Sequence, residues 1–354
     1  MLTTHHRVIL SDSRHLEPIE DESVSLVVTS PPYPMIAMWD SLFTELDSEV
    51  GALIEQGEAV EAFHRMHAAL RPCWEECARV LRPGGLLIIN IGDATRKLGD
   101  SFQLFENHAM ILNQAREIGL QVLPDILWRK PNNSPTKFLG SGMLPPGAYV
   151  TYEHEYVLIL RKGGPRRFSA KERVTRRESA YFWEERNQWF SDLWSGLPGV
   201  EQEFQEDERP ARKRSAAFPL ELAWRLIQMF SCHGDTVLDP FLGTGTTMVA
   251  AMMSGRNSLG VERDASLGPA IQTRLERAIK LGRERTRLRL TDHRSFVEER
   301  TRRGRSPKYA HEGLYTRVIT AQETDLKLWM PSQMESTGFQ SWKLDLDPLR
   351  PDED

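Results

Sequence analysis

One stretch limits the architecture of this chain more than any other: "TVLDPFLGTGTTMVAAMMSGRNSLGVERD", residues 236–264. It reads as strand, glycine loop, helix and strand. The first apolar run ends at Asp239, and the loop carries Gly243 and Gly245. A helix opens with Thr246 and Thr247, and a second run ends at Glu262, 23 residues after Asp239. Such a unit joins parallel strands, which need helices on both faces of their sheet. The rest of the chain agrees. The apolar runs in "RVILSDS", "SVSLVVTS", "LLIINIGD", "LQVLPDILWRK" and "YEHEYVLILRK" alternate with helical patterns. In "AVEAFHRMHAALRPCWEECARVL", for example, apolar residues recur at three and four. The expected fold class is α/β with a mainly parallel sheet.

The glycine loop points to a ligand. Glycines let a backbone approach a bound group closely, and an acid at the second strand end can accept hydrogen bonds from a ribose. The layout suits a nucleoside-bearing cofactor at the carboxyl ends of the strands. A dinucleotide fits poorly. The third glycine of the pyrophosphate fingerprint falls at Met248, and Asp239 and Pro240 stand at the turn. A pyrophosphate wants helix-terminal N–H groups with no carboxylate alongside. S-adenosylmethionine, with an adenosine, a sulfonium and no phosphate, suits Asp239 better.

A second stretch, "VVTSPPYPM" at residues 27–35, sets two prolines directly behind an apolar run. Proline cannot donate to a sheet ladder, so the strand must stop there, and the residue before each proline is pushed to an extended conformation. The result is a stiff shelf that carries the Ser30 hydroxyl and the Tyr33 ring.

Together the two stretches resemble the amino-directed DNA methyltransferases of the permuted type, in which the catalytic motif precedes the cofactor motif. "TSPPY" is similar to the catalytic motif, "DPFLGTGTT" to the cofactor loop and "GVERD" to the ribose-binding strand end. "SDS" at 11–13 resembles the short acidic motif on the adenine side, and "AAFPLELAWRLI" the helix that closes over the methionine end. "RPGGLLIINIGD", "ILWRKPNNSP" and "HEYVLILRK" resemble later blocks. The match spans residues 7–162 and 214–281 with the block order intact. One departure stands in the helix entry, where Arg214-Ser215 replace the family's usual histidine.

The resemblance implies a Rossmann-like fold with a mixed, mostly parallel sheet. It implies catalytic roles for Ser30, Pro31, Pro32 and Tyr33. Cofactor contacts fall on Asp12, Asp239, Pro240, Phe241, Gly243, Gly245, Thr246 and Glu262. The expected reaction is direct methyl transfer from S-adenosylmethionine to an exocyclic amine of a base flipped out of duplex DNA. The Ser30 hydroxyl and the Pro31 carbonyl would accept the amine's N–H groups, and Tyr33 would stack on the base. Serine at the first motif position accompanies cytosine N4 in this family, and aspartate adenine N6, so N4 is the expected acceptor and N6 the alternative. Other rivals are an RNA or protein methyltransferase and an inactive DNA-binding regulator. The expected partner is double-stranded DNA, with a cognate restriction endonuclease acting on the same site as a further candidate.

Domain expectations follow. Residues 1–282 form the catalytic domain. Within it, 163–214, which lacks clear periodicity, is an insertion that carries target recognition. Residues 283–354 form a basic extension of unassigned role, and residues 34–56 an acidic insertion without pattern. The net charge is −5, but the sign is uneven. Residues 161–186 hold nine Lys/Arg against four acids, and residues 283–308 ten against four, so both runs are candidates for phosphate contact. Three cysteines, Cys73, Cys77 and Cys232, are too few for a disulfide framework or a zinc site, so no metal is expected. His5, His6, His64 and His67 are expected at the surface. Trp128 is expected in the core, and Lys130 is a candidate phosphate contact. Asp93 suits either a site role or loop capping. Tyr181, Phe182 and Trp183 suit either base stacking or a small hydrophobic nucleus. With neither a transmembrane run nor a signal-peptide layout, a cytoplasmic protein in a prokaryotic cell is expected.

Overall fold

The computed structural model describes residues 1–98, 101–130, 139–197 and 218–351. The chain opens with β1 (Leu2–Leu10) and β2 (Val24–Thr29). Three helices follow: α1 (Asp40–Leu46), α2 (Glu49–Gln56) and α3 (Ala59–Val80). Strand β3 (Leu81–Ile91) leads to the hairpin β4 (Ala94–Leu98) and β5 (Ser101–Phe105), then to α4 (Asn107–Glu117). Next come β6 (Leu120–Val122), β7 (Ile126–Arg129), the short pair β8 (Leu139–Gly140) and β9 (Ala148–Tyr149), and β10 (His154–Lys162). Helices α5 (Ala170–Glu178) and α6 (Trp183–Trp189) precede β11 (Leu193–Trp194). Helix α7 (Leu220–Phe230) enters the unit β12 (Thr236–Asp239), α8 (Thr246–Met253) and β13 (Asn257–Glu262). Helices α9 (Gly268–Glu276) and α10 (Ala278–Arg302) lead to the pair β14 (Tyr309–His311) and β15 (Thr316–Val318). The hairpin β16 (Trp329–Gly338) and β17 (Ser341–Pro348) ends the described chain.

The sheet is mixed, with a parallel centre. Strands β3, β2, β12, β13 and β1 lie side by side in parallel. Antiparallel strands extend both edges, β10 and then β7 on one side, β17 and then β16 on the other. Side chains alternate across it, as the two-residue period of a strand requires. Leu26 and Val28 face the layer of α7, α8 and α10, whereas Val27 faces α3 and α4. Both β2 and α8 are buried along their whole length, so neither shows an amphipathic pattern in sequence.

Several expectations change. The boundary at 282/283 falls inside α10, and β17 pairs with β1 from Leu2↔Leu346 to Arg7↔Ser341. Residues 283–348 therefore belong to the same body as the sheet. Residues 34–56 are helical, but α1 is so short that it buries only Phe43, too little for a visible period. The insertion expected at 163–214 is described only to residue 197. There β11 joins the sheet edge beside β7, and residues 198–214, with the Arg214-Ser215 departure, lie outside the described residues. Phe182 is fully buried with Leu290, Leu314 and Leu328 and stacks on His293 at 3.8 Å, and Trp183 stacks on Phe296. Phe182 thus serves a small hydrophobic nucleus, whereas Tyr181 packs against the main core beside Trp189 and Phe190.

His6 and His67 are buried, contrary to expectation. Strand alternation turns Thr4, His6 and Val8 inward together, and His6 hydrogen-bonds with Thr4 and Ser258. Burial, helped by neighbouring His5, lowers its pKa to about 3. His67 shares the inner face of α3 with Phe63, Met66 and Leu70 and pairs with Asn107; burial lowers its pKa to about 4. The three cysteines are free and buried. No helix among the described residues is long and apolar enough to cross a membrane.

Both basic runs make ion pairs within the fold. Because β10 is antiparallel to β3, residues 161–178 emerge at the amino ends of the parallel strands. Arg166 pairs there with Asp235 at 2.6 Å, just before β12, and with Glu172. Ser179 accepts from His233 N, and Glu178 pairs with Lys327. In the second run, Arg285 and Arg289 pair with Glu221 and Glu185. Much of this positive charge is matched within the fold.

Candidate active site

The carboxyl ends of four neighbouring parallel strands, β2, β12, β13 and β1, open on one cleft of about 350 Å³. Its walls include Asp12, Ser30, Pro31, Pro32, Asp239, Pro240, Phe241, Gly243, Thr246 and Glu262. Ten of the twelve expected site residues are therefore brought together. Tyr33 and Gly245 stand behind the wall.

The glycine loop is held from both sides. Gly243, at φ +56°, donates its N–H to Glu262 Oε2 at 2.8 Å, and Glu262 Oε1 accepts from Asp264 N at 2.8 Å. The acid at the second strand end thus pins the loop as well as facing the cleft. Gly245, at φ +90°, caps α8 in the left-handed region that glycine adopts without strain. Asp239 is 2% exposed. Its Oδ1 accepts from Thr29 at 2.7 Å and from Phe241 N at 3.0 Å, and its Oδ2 accepts from Thr247 at 2.6 Å. Burial raises its pKa to about 6, even though the Thr247 and Thr29 hydroxyls pull the other way. The bond from Thr29 ties the strand end before Ser30 to the glycine loop.

On the adenine side, Asp12 accepts a fork of hydrogen bonds from Arg14, with Nη2 at 2.7 Å. Burial opposes ionisation there, but the Arg14 bonds prevail and hold the carboxyl below its ordinary range. Arg263, also on the wall, pairs with Glu45. Both arginines on the cleft wall thus face carboxylates, and among the described residues there a phosphate has no free cation to meet. Asp12, Asp239 and Glu262, a glycine cradle and this pairing of the arginines fit an uncharged nucleoside with a cationic end. The residues present therefore fit S-adenosylmethionine.

The Ser30 loop departs from expectation in one respect. Tyr33 is 9% exposed, and its ring packs in the core against Gly92, so it offers little free face to a stacked base. Its hydroxyl instead lies 3.1 Å from Ser30 Oγ and 3.0 Å from Glu155 Oε2, and receives a bond from Asn90 Nδ2 at 2.9 Å. Burial and the Glu155 charge raise the phenol pKa well above its usual value, so it stays protonated. Lys130 donates to Glu155 Oε1 at 2.9 Å rather than standing free for phosphate. Asp93 accepts from His108, in the first turn of α4, and from Tyr152, a capping and bracing role. Trp128 is core, its indole N–H on Leu197 O.

Sequence reasoning missed Asn90 and Glu155, and it missed the far wall of the cleft. Trp39, Leu42, Glu45 and Leu46, from the unassigned insertion, cover the cofactor side. The available signal for Glu155 was an acid inside the apolar run "HEYVLIL".

The N6/N4 methyltransferase family, described as DNA methylase, matches residues 24–272. The Type II methyltransferase M.MthZI of Methanothermobacter thermautotrophicus is 48% identical over 99% of this chain and 98% of its own length. The Type II methyltransferase M.MjaI of Methanocaldococcus jannaschii is 51% identical over 77% of this chain and 92% of its own. Among solved structures, a proposed DNA modification methylase of Thermus thermophilus, complexed with S-adenosyl-L-methionine, superposes with a TM-score of 0.60. It is 34% identical and covers 77% of this chain and 95% of its own.

Proposed function

This chain belongs to the N6/N4 DNA methylase family, and we propose that it is the S-adenosylmethionine-dependent methyltransferase of a Type II restriction-modification pair, acting on cytosine N4 in duplex DNA. The observation that carries the reading is the single cleft that joins the Ser30-Pro31-Pro32 shelf to the glycine loop and to both strand-end acids. The near full-length relative M.MthZI supports the Type II assignment, and the complex of the Thermus protein supports the cofactor. Serine at position 30 supports N4.

Bound S-adenosylmethionine supplies an activated methyl group on a sulfonium. Glu262 and the Asp12 side of the cleft would hold the adenosine, and Gly243 lets the backbone come close. The exocyclic amine of a base is a poor nucleophile, because its lone pair is delocalised into the ring. Ser30 Oγ and Pro31 O would accept its two N–H bonds, turn the lone pair toward the methyl carbon and stabilise the positive charge that grows on nitrogen. The two prolines keep that carbonyl in place. The base must leave the duplex to reach the shelf.

Mass spectrometry of nucleosides tests the reading. Purified protein, unmethylated duplex DNA and S-adenosylmethionine should yield N4-methylcytosine. N6-methyladenine would keep the machinery and overturn the base. No methylated base on varied duplex DNA, with cofactor binding intact, would favour an inactive DNA-binding regulator.

A further inference from the structure

Glu155 is a buried acid in β10, directly behind the shelf. Resting on the methyltransferase reading above, we propose that Glu155 is a positioning residue that fixes the direction of the hydrogen-bond chain Ser30–Tyr33–Glu155. Ser30 then turns its lone pairs, not its proton, to the acceptor amine.

The direction follows from counting donors and acceptors. Lys130 Nζ points a donor at Glu155 Oε1 at 2.9 Å, and Asn90 Nδ2 points one at Oε2 at 2.7 Å. The carboxyl is therefore an acceptor on both oxygens. The Tyr33 hydroxyl has two acceptors in reach, Glu155 Oε2 at 3.0 Å and Asn90 O at 3.4 Å, and its one proton goes to the nearer, charged oxygen. The phenol oxygen accepts the second Asn90 Nδ2 proton at 2.9 Å, and its remaining position faces Ser30 Oγ at 3.1 Å. With the Tyr33 proton committed to Glu155, Ser30 must be the donor of that pair. Both Ser30 lone pairs are then free to accept from the amine. In the reverse direction the serine proton would point into the cleft and bind the amine lone pair that attack requires. A carboxylate at position 30 would need no such arrangement, because it has no proton to dispose of. A serine does.

Glu155→Gln removes the anionic acceptor of the Tyr33 proton with little change of shape. Lys130 holds the new carbonyl oxygen on its own side, so the new amide nitrogen takes the place of Oε2, where it can accept neither from Tyr33 nor from Asn90 Nδ2. The Tyr33 proton is then shared between Ser30 Oγ at 3.1 Å and Asn90 O at 3.4 Å, and the direction at Ser30 is no longer fixed. The single-turnover rate of methyl transfer to duplex DNA should fall about tenfold, less than on loss of the hydroxyl itself, with S-adenosylmethionine and DNA dissociation constants within about twofold of wild type. The decisive comparison is a cycle with Ser30→Ala. If Glu155 acts through Ser30, the double variant should be no slower than Ser30→Ala alone. Losses that multiply in the double variant, or a Glu155→Gln rate near wild type, would overturn the proposal. Tyr33→Phe gives a second route should Glu155→Gln fold poorly. Without the phenol oxygen, Glu155→Asp should change the rate no further, and a further large loss would refute the relay. Wild-type transfer is measured alongside: its absence refutes the parent reading, whereas its presence with an unaffected Glu155→Gln refutes only the relay.

Discussion

Asp239 gives the most quantitative prediction. Its carboxyl lies on the cleft wall, 2% exposed, and burial raises its pKa from 3.8 to about 6. The free protein therefore holds a proton there below about pH 6. A cation placed in the cleft favours the ionised carboxylate, so it binds the deprotonated form better. Affinity for S-adenosylmethionine should then rise with pH up to about 6 and level off above. If the bound cofactor returns the carboxyl to its ordinary range, the gain between about pH 5 and pH 7 is about tenfold, near 1.4 kcal/mol. The amino group of the cofactor titrates only near pH 8, outside this window. Asp239→Asn is the control. Its carbonyl oxygen can still accept from Thr29 and Phe241 N. Thr247, which also lies 3.4 Å from Val28 O, can turn its proton there and accept from the new amide. Isothermal titration calorimetry across the window, with circular dichroism at each pH, reads the result. A flat profile in the wild type, or an equal slope in Asp239→Asn, would refute the placement of the cofactor's cationic end beside Asp239.

Four further outcomes are expected. Ser30→Ala should lower the single-turnover rate about 100-fold or more while S-adenosylmethionine affinity stays within a few-fold, because the lost acceptor acts mainly in the transition state; rate and affinity falling together would make Ser30 structural. Gly243→Val places a β-branched residue at φ +56°, which should weaken cofactor binding about tenfold or more as the loop shifts; unchanged affinity would remove the loop from the site. His6 and His67 are held neutral in the fold by pKa values lowered to about 3 and about 4, so the unfolded chain binds more protons. Stability should fall as pH drops below about 6, by up to about 1.4 kcal/mol per pH unit for each histidine, and His67→Gln should flatten urea-measured stability over that range. Lys171 and Arg173 are exposed on α5, near the amino ends of the strands. Replacing both with Gln should leave DNA affinity within about twofold by fluorescence anisotropy, and a tenfold loss would place DNA on that face.

What was legible in the sequence shares one property. The glycine loop, the double proline and the acids at 239 and 262 are local devices: each is required by the backbone conformation of its own strand end. Reading strand ends therefore gathered most of the cleft. What escaped depends on distant partners. Glu155 becomes significant only because β10 lies beside β3 and brings it to Tyr33. Trp39 and Leu42 line the cleft because α1 folds back over it. The basic run at 161–186 reads in sequence as a candidate phosphate track, and only the antiparallel course of β10 shows that its first part meets Asp235 at the strands' amino ends. The C-terminal hairpin was invisible for a related reason. Its alternation in "SWKLDLDP" is short, and its partner β1 lies more than 330 residues earlier, Leu2 facing Leu346. Histidine burial at positions 6 and 67 follows from the periodicity of β1 and α3, which turns those positions inward whatever residue type stands there.

The permuted order of motifs has a mechanical consequence. The shelf and the glycine loop are far apart in sequence, yet they leave neighbouring parallel strands, with Leu26 opposite Val237 and Val27 opposite Leu238. Neighbouring strands are held about 4.8 Å apart by their hydrogen-bond ladder. Methyl transfer needs donor carbon and acceptor nitrogen within about 3.5 Å and in line, a tolerance that mobile loops do not meet. In this fold the spacing between acceptor-holding and donor-holding loops is inherited from the sheet. The Thr29–Asp239 bond at 2.7 Å then locks the last residue of one strand to the last residue of the other. That bond lies in the core of the protein, one residue before Ser30, and Asp239 also sets the loop through Phe241 N and α8 through Thr247. One buried carboxylate thus joins the catalytic shelf, the glycine loop and the helix behind it. Its raised pKa is the cost of that burial, and the same property makes its state readable by pH.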